Sequence, residues 1–225
     1  MKRARSAALP PSAPCGRGRG RGDVSLRSLV LGACVLLLAA CSPPTVPDVT
    51  YYQLPLAAPQ PRLQKPLTVL PVEVATFRAE GVYAEQSVLY ATTPDAGALR
   101  AYHYQLWSDP PSRGLQARLT NRLREAGVSA LVTDRLPASV QSLRIRGRIL
   151  HYERVPQAQG AVAQVELEMR VEQDSGEPLL EQSYRIEQAA SGETMAATAQ
   201  AFGAAVDAVF AKFQADLVAL EGGKS

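Results

Sequence analysis

Apolar and charged residues alternate regularly in the second half of this chain. Residues 143–149 carry an arginine at every second position, and residues 165–172 carry mostly glutamates there. A period of two is typical of strands that bury one face and expose the other. A third alternation covers residues 180–186, and turn sequences that contain Pro or Gly separate the three segments. We therefore predict an antiparallel meander of three strands.

The charged residues of this meander are predicted to share its exposed face. Two roles are open for Arg144, Arg146 and Arg148. They could bind lipid phosphates, or they could form an ion-pair ladder with Glu166 and Glu168 on the next strand. We favour the ladder, in which each exposed pair stabilises by roughly a few tenths of a kcal/mol. The opposite face is predicted to join the core through Ile145, Ile149, Leu167 and Met169.

Two further segments repeat apolar residues every three or four positions, as amphipathic helices do. The first, at about 110–126, follows two candidate N-cap residues, Ser108 and Asp109. The second covers about 193–220 and is rich in alanine. Together the elements predict an α+β fold whose mostly antiparallel sheet is covered on one face by these two long helices. Shorter strands are predicted at 67–74, 86–90, 99–106 and 130–133.

The N-terminal region has the three parts of a secretory signal. Arg27 and other basic residues precede an uncharged apolar run at 29–38, and small residues follow that run. The apolar run is too short to span a bilayer as a helix. The sequence Leu38-Ala39-Ala40-Cys41 resembles the bacterial lipobox, in which the cysteine receives a diacylglyceryl group and becomes the new N-terminus. We therefore predict lipidation of Cys41.

The predicted organisation has four parts. Residues 1–40 are a signal peptide that is removed, and residues 41–62 are the lipidated N-terminus and a proline-rich tether. A single α+β domain covers 63–220, and a short tail covers 221–225. Ser42 stands where an aspartate retains many Gram-negative lipoproteins in the inner membrane. We therefore expect the mature protein to be lipid-anchored in the outer membrane and to face the periplasm.

Charge and composition exclude several classes of function. The formal net charge of +3 becomes negative when residues 1–40 are removed, and the Gly/Arg-rich run that would favour nucleic acid is removed with them. Cys41 is the last cysteine, so the domain has no disulfide and no thiolate metal site. His103 and His151 are far apart, and no catalytic, cofactor-binding or metal-binding motif is present. We expect a protein that is not an enzyme and needs no cofactor.

Three aromatic residues just before the first helix are candidates for contact with a partner. Tyr102, Tyr104 and Trp107 belong to one predicted strand, and aromatic side chains are enriched in the cores of protein interfaces. For Trp107 the favoured alternative is a packing anchor at the point where the strand leads into the helix.

These features together resemble the ABC-type transport auxiliary lipoproteins of the PqiC/YmbA-like family. The resemblance rests on the lipobox, on Tyr51-Tyr52-Gln53-Leu54, and on the stretch from Tyr102 to Pro111 that leads into a Leu-rich helix. It implies a periplasm-facing lipoprotein of an MCE-type lipid-transport system, with an MCE-domain protein and its ABC permease and ATPase as partners. In such a system the protein would dock or bridge the assembly at the outer membrane.

Two other functions stay open at this point. One is an envelope-assembly lipoprotein, similar to the lipopolysaccharide-assembly lipoproteins, that handles no phospholipid. The other is a lipid carrier in its own right, which would need an apolar cavity. Whether the domain binds phospholipid and whether it forms homo-oligomers stay open as well.

Overall fold

The computed structural model describes residues 46–94, 97–173 and 176–222, with the backbone alone at 221 and 222. Within these ranges an eight-stranded mixed sheet packs against two helices. A 3-10 turn covers Gly81–Ala84, and the helices are α1 (Pro111–Ala126) and α2 (Met195–Gly222). The strands are β1 (Thr50–Tyr52), β2 (Val72–Val74), β3 (Ser87–Ala91), β4 (Leu99–Trp107), β5 (Val132–Thr133), β6 (Leu143–Pro156), β7 (Ala161–Glu172) and β8 (Pro178–Ala189).

The long strand β6 organises the sheet. One edge of β6 pairs with β7 in antiparallel register, and β7 pairs with β8 in the same way. The other edge is shared by two parallel neighbours, since β2 lies beside Leu143–Ile145 and β3 lies beside Arg154. β4 is antiparallel to β3, while β1 and β5 are short parallel strands. The predicted α+β fold and its C-terminal meander are confirmed, and the parallel pairs make the sheet mixed.

Both helices cover the same face of the sheet. α1 packs against β2 and β5, and α2 packs against β7 and β8. The predicted apolar stripe of α1 is fully buried, and so is the predicted seam of α2 around Phe202, Val206 and Phe213. Full burial of one such side chain stabilises the fold by about 1.5–3 kcal/mol, so these stripes form the main part of the core. The buried stripe of α1 consists of Leu115, Leu119, Leu123 and Ala126.

The start of α1 differs from the prediction. Its N-cap is Pro110, without a side-chain cap, and not Ser108 or Asp109. The backbone N–H of Ser108 donates to the carbonyl of Tyr52 at 2.8 Å, so Ser108 still continues the ladder between β1 and β4. The Ser108 hydroxyl lies 3.4 Å from the Asp109 carboxylate, and neither side chain caps the helix.

Part of the predicted tether belongs to the folded domain. Thr50–Tyr52 is strand β1, which extends the sheet beside β4. Farther along, the backbone N–H of Leu63 donates to the last carbonyl of α1, that of Ala126, at 2.8 Å. The boundary predicted at residue 63 therefore lies too late, because the apolar patch that begins at Tyr51 finds a free strand edge to pair with. The compact unit begins at Pro47.

The first predicted strand is shorter than expected. Only Val72–Val74 of the predicted range 67–74 is extended within the sheet. Before it, the backbone N–H of Leu67 donates to the carbonyl of Val128, so this stretch follows the end of α1 and does not pair with a strand. Pro71 has no N–H to donate to a ladder, and its carbonyl accepts from the N–H of Leu143 at the start of the pairing.

The predicted ion-pair ladder is present on the open face of the meander, with some partners changed. Arg148 binds Glu168 through two contacts of 3.0 and 2.9 Å, as predicted. Arg146 lies opposite Arg170 and reaches diagonally to Glu172 at 2.5 Å. A bulge after Ile149 shifts the register of β6 beyond the arginines. Arg144 pairs with Glu73 at 3.2 Å, and Glu166 pairs with Arg185 of β8 at 3.5 Å.

Glu172 is the most buried carboxylate of this ladder. Burial by itself raises its pKa, but the hydrogen bond and charge of Arg146, together with those of Arg170, outweigh burial and lower the pKa below its usual value. A lowered folded-state pKa means that this cluster stabilises the fold above the unfolded pKa of glutamate. That contribution is lost as the pH falls through the lowered value.

Replacing Arg146 with alanine is expected to lower the free energy of unfolding by less than about 1 kcal/mol. Its side chain is 53% exposed, and Glu172 keeps Arg170 as a partner at 3.1 Å after the change. Denaturant unfolding of the variant measures this quantity. If Arg146→Ala instead abolished binding to vesicles that contain phosphatidate while the fold stayed stable, the phosphate-binding role would be the correct one.

Candidate functional site

Tyr102 and Tyr104 lie on an open part of the sheet. β1 pairs only with residues 105–107 of β4, so in the described ranges the stretch from Leu99 to Tyr104 has a strand neighbour on one side only. The rings of Tyr102 and Tyr90 lie 4.5 Å apart between centroids. They line a shallow depression of about 550 Å³ at this edge. Aromatic rings beside unpaired backbone groups form a surface suited to protein contact.

Trp107 lies on the other side of the sheet. It is 4% exposed, and its ring meets those of Tyr152 and Phe202 at centroid distances of 5.8 and 5.2 Å. Side chains of a strand alternate between its faces, so Tyr104 and Trp107 point to opposite faces. The packing anchor, which the sequence favoured for this residue, is what the structure contains, and the three aromatic candidates do not form one patch.

A second depression lies on the helical side of the sheet. Its walls are the exposed side of α1 and the strap segment, which we define as residues 53–57, and its floor includes Trp107 and Tyr152. Its volume is about 490 Å³, within the range of about 300–1,000 Å³ that is usual for small-molecule sites. We call this depression the α1 groove.

Arg118 fixes the strap segment to both helices. Its Nε and Nη2 donate to the two carboxylate oxygens of Asp207 on α2 at 2.7 and 2.8 Å, and its Nη1 donates to the carbonyl of Pro55 at 2.6 Å. Ion pairs between a guanidinium and a carboxylate are strongest when they are bidentate. On the other side of the strap, Gly203 leaves no room for a side chain, because a Cβ there would overlap the ring of Pro55.

Arg122 follows one turn later on α1 and also lines the α1 groove. It is 6% exposed, and its Nε donates to the side-chain oxygen of Gln214 on α2 at 2.9 Å. Burial lowers the pKa of this guanidinium. The Asp207 and Glu125 carboxylates oppose that shift, and the Arg118 guanidinium adds to it. The groove therefore holds one arginine paired with a carboxylate and one that is not.

Glu153 is a buried carboxylate that the sequence did not single out. The hydroxyl of Tyr83 donates to it at 3.0 Å, the backbone N–H of Tyr152 at 2.6 Å and the side chain of Gln164 at 3.2 Å, while His151 Nδ1 lies at 2.7 Å. Burial, followed by the Glu153 charge and hydrogen bond, raises the pKa of Tyr83. With its oxygens fully occupied, this carboxylate fastens the 3-10 turn to the sheet.

The described residues contain no group of three or more His, Cys, Asp or Glu side chains placed to hold a metal ion. His103 lies on β4, away from the His151 contact with Glu153. Cys41, the predicted lipidation site, lies outside the described residues. In the ranges that are described, neither helix combines the length and the hydropathy needed to cross a bilayer.

The arginines of the α1 groove escaped the sequence analysis although a signal was present. Arg118 and Arg122 stand four positions apart, and residues with this spacing lie on the same side of a helix. On a helix with a buried leucine stripe, two such arginines look like part of an ordinary solvent-exposed face. Their counter-groups come from α2, about ninety residues later, so the sequence alone could not separate the paired arginine from the unpaired one.

Solved structures of other proteins share the fold of this chain. Protein XCC0632 from Xanthomonas campestris, of family DUF330, superposes with a TM-score of 0.67 at 19% identity over 78% of this chain and 98% of that chain. A crystal structure of an uncharacterized protein gives a TM-score of 0.58 at 15% identity over 76% of this chain and 99% of that chain. At these identities the likeness shows a shared fold.

No curated protein matches the sequence. A family model described as the ABC-type transport auxiliary lipoprotein component matches residues 52–212. The matched range begins in β1, ends within α2 and includes the residues around both depressions. Because it covers more than half of the chain, this protein belongs to the ABC-type transport auxiliary lipoprotein family.

Proposed function

We propose that this protein is a non-enzymatic, periplasm-facing subunit of an MCE-type ABC lipid-transport system. It is anchored in the outer membrane through acyl groups on Cys41 and docks or bridges the MCE-domain protein there. The observation that carries the proposal is the family match over the folded domain, which lies downstream of a lipobox-like sequence. The system's cargo is phospholipid or a related apolar molecule, and its ABC permease and ATPase supply the energy.

A binding role fits the chemistry of the described residues better than a catalytic one. Glu153 accepts bonds from three donors and is only 3% exposed. The carboxylates of the open sheet face are paired with arginines. General acid–base chemistry needs a group that can reach a substrate, and half-buried aromatic residues at a partly unpaired strand edge are better suited to protein contact.

Photocrosslinking in intact cells is expected to capture the MCE-domain protein from positions 102 and 104. A photoreactive phenylalanine derivative at Tyr102 or Tyr104 keeps an aromatic ring at the strand edge, where it would lie in the core of the contact. The crosslinked product is identified by mass spectrometry. The matched control places the same derivative at Arg113, which is exposed on α1 and is expected to give no product with the MCE subunit.

Two results would contradict the proposal in different ways. Capture of a lipopolysaccharide-assembly protein from positions 102 and 104 would favour the envelope-assembly function. If the MCE subunit were captured from position 113 and from neither tyrosine position, the transport function would remain supported, but the contact surface would not be the strand edge of Tyr102 and Tyr104. Deletion of the gene is expected to increase sensitivity to detergents, and unchanged resistance would argue against a transport role.

A further inference from the structure

The α1 groove has the composition of a ligand site, and the docking role does not explain it. Tyr52, Leu54 and Trp107 supply apolar surface along one side of the groove, and α1 supplies the opposite wall. Ligand sites are typically concave and mostly apolar, with a few polar groups that orient the ligand. Several polar groups line the α1 groove, and the guanidinium of Arg122 is one of them.

Arg122 has no anionic partner in the described part of the chain. Its Nε is used by Gln214, a neutral group. Its two terminal nitrogens make no hydrogen bond to a described residue, and no described carboxylate lies within ion-pair distance of them. Burying a charge without a counter-charge is strongly unfavourable, so this arrangement is one that an anion would stabilise.

The nearby carboxylates do not fill this role. Asp207 is held by Arg118 through both of its oxygens, at 2.7 and 2.8 Å. Glu125 and Asp109 also line the groove but are exposed, and neither contacts Arg122 within ion-pair distance in the described ranges. The charges of Asp207 and Glu125 favour the charged form of Arg122, but among the described residues no carboxylate directly contacts the terminal nitrogens of its guanidinium.

We propose that the α1 groove binds an anionic amphiphile, with its carboxylate or phosphate on the terminal nitrogens of Arg122 and its acyl chain against Tyr52, Leu54 and Trp107. Hydrogen bonds between a guanidinium and such anions are strong and directional, and the apolar wall stabilises a chain by removing it from water. This inference goes beyond the docking role, because it concerns a ligand of the domain itself and needs no protein partner.

Photolabelling of the complete acylated lipoprotein in phosphatidylcholine vesicles tests the proposal. The probes are a diazirine fatty acid, a diazirine lysophosphatidate and, as a neutral control, the diazirine fatty alcohol. Both anionic probes are expected to label peptides from the strap segment and from α1, about tenfold more than the neutral probe. Labelling by the fatty acid alone would identify free fatty acid as the source of the ligand, and labelling by lysophosphatidate alone would identify a phospholipid.

Three variants separate recognition from folding. Arg122→Gln is expected to reduce anionic labelling about tenfold while the unfolding midpoint stays the same or rises, since an unpaired buried charge is lost. Arg113→Gln removes an exposed charge from the same helix and should leave labelling unchanged. Gly114→Leu fills the groove, where a Cβ meets open space, and should abolish labelling with Arg122 intact.

The proposal fails if the neutral probe labels as strongly as the anionic probes, if labelling appears only outside the groove, or if Arg122→Gln labels like the wild type. Should Arg122→Gln fail to fold, Gly114→Leu decides the question, and undiminished labelling of that variant would overturn the proposal. If positions 102 and 104 give no crosslink to the MCE subunit while the anionic probes still label the groove, the docking function is contradicted and the ligand site is not.

Discussion

Replacing Leu167 with alanine is expected to lower the free energy of unfolding by about 2–5 kcal/mol. Leu167 is fully buried in β7, where it lies between Ile149 on β6 and Tyr184 on β8. α2 packs over the same strands, so the cavity left by truncation has ordered structure on every side and collapses only partly. Denaturant unfolding followed by far-UV circular dichroism measures the loss.

The matched control is Leu180→Ala, the same substitution on the edge strand β8. Leu180 is only partly buried, so its truncation is expected to cost about 1 kcal/mol. The difference between the two variants tests the assignment of faces in the meander. Equal losses, or a loss below about 1 kcal/mol for Leu167→Ala, would contradict the register of β6, β7 and β8.

The meander could be predicted because its information is local. Ile145 and Leu167 alternate with charged neighbours, and a period of two fixes which side of a strand is buried. The turns between the strands are short, so each strand pairs with the next one in the chain. The same reasoning located the helices, whose buried stripes around Leu119 and Phe202 repeat at helical spacing.

The parallel pairs could not be predicted, because they join segments that are far apart in sequence. β1 is three residues long and pairs with Gln105–Trp107, and β2 pairs with Leu143–Ile145. Strands of this length show no readable alternation. The prolines around Tyr52 also favoured an extended spacer, and only the free edge of β4 in the folded domain turns that segment into a strand.

The charge pairing in the α1 groove also could not be predicted from the sequence. The guanidiniums of Arg118 and Arg122 differ only in what α2 offers them, a carboxylate in Asp207 and an amide in Gln214. The residue that α2 places opposite each guanidinium therefore decides whether that arginine has a carboxylate in direct contact. Propensity and periodicity carry no information on such a pairing, because both helices would form with either residue.

Replacing Cys41 with alanine is expected to abolish acylation and, with it, stable membrane attachment. A single acyl chain holds a protein only marginally, while two or more anchor it durably, and Cys41 is the only cysteine that follows the apolar run. The variant should accumulate as uncleaved precursor or be released from the membrane. Metabolic labelling with an alkyne analogue of palmitate and membrane fractionation measure the two effects.

The matched control is Cys34→Ala, which removes a cysteine from inside the apolar run and should leave labelling unchanged. A wild-type protein that takes up no label would disprove lipidation at Cys41. If labelled protein were found only in the inner membrane, lipidation would be supported, but the outer-membrane location inferred from Ser42 would be wrong. Under the proposed function the acyl groups hold the domain where it meets its partner. Cys41→Ala should then also remove the crosslinks from Tyr102 and Tyr104, while the purified domain keeps its unfolding midpoint.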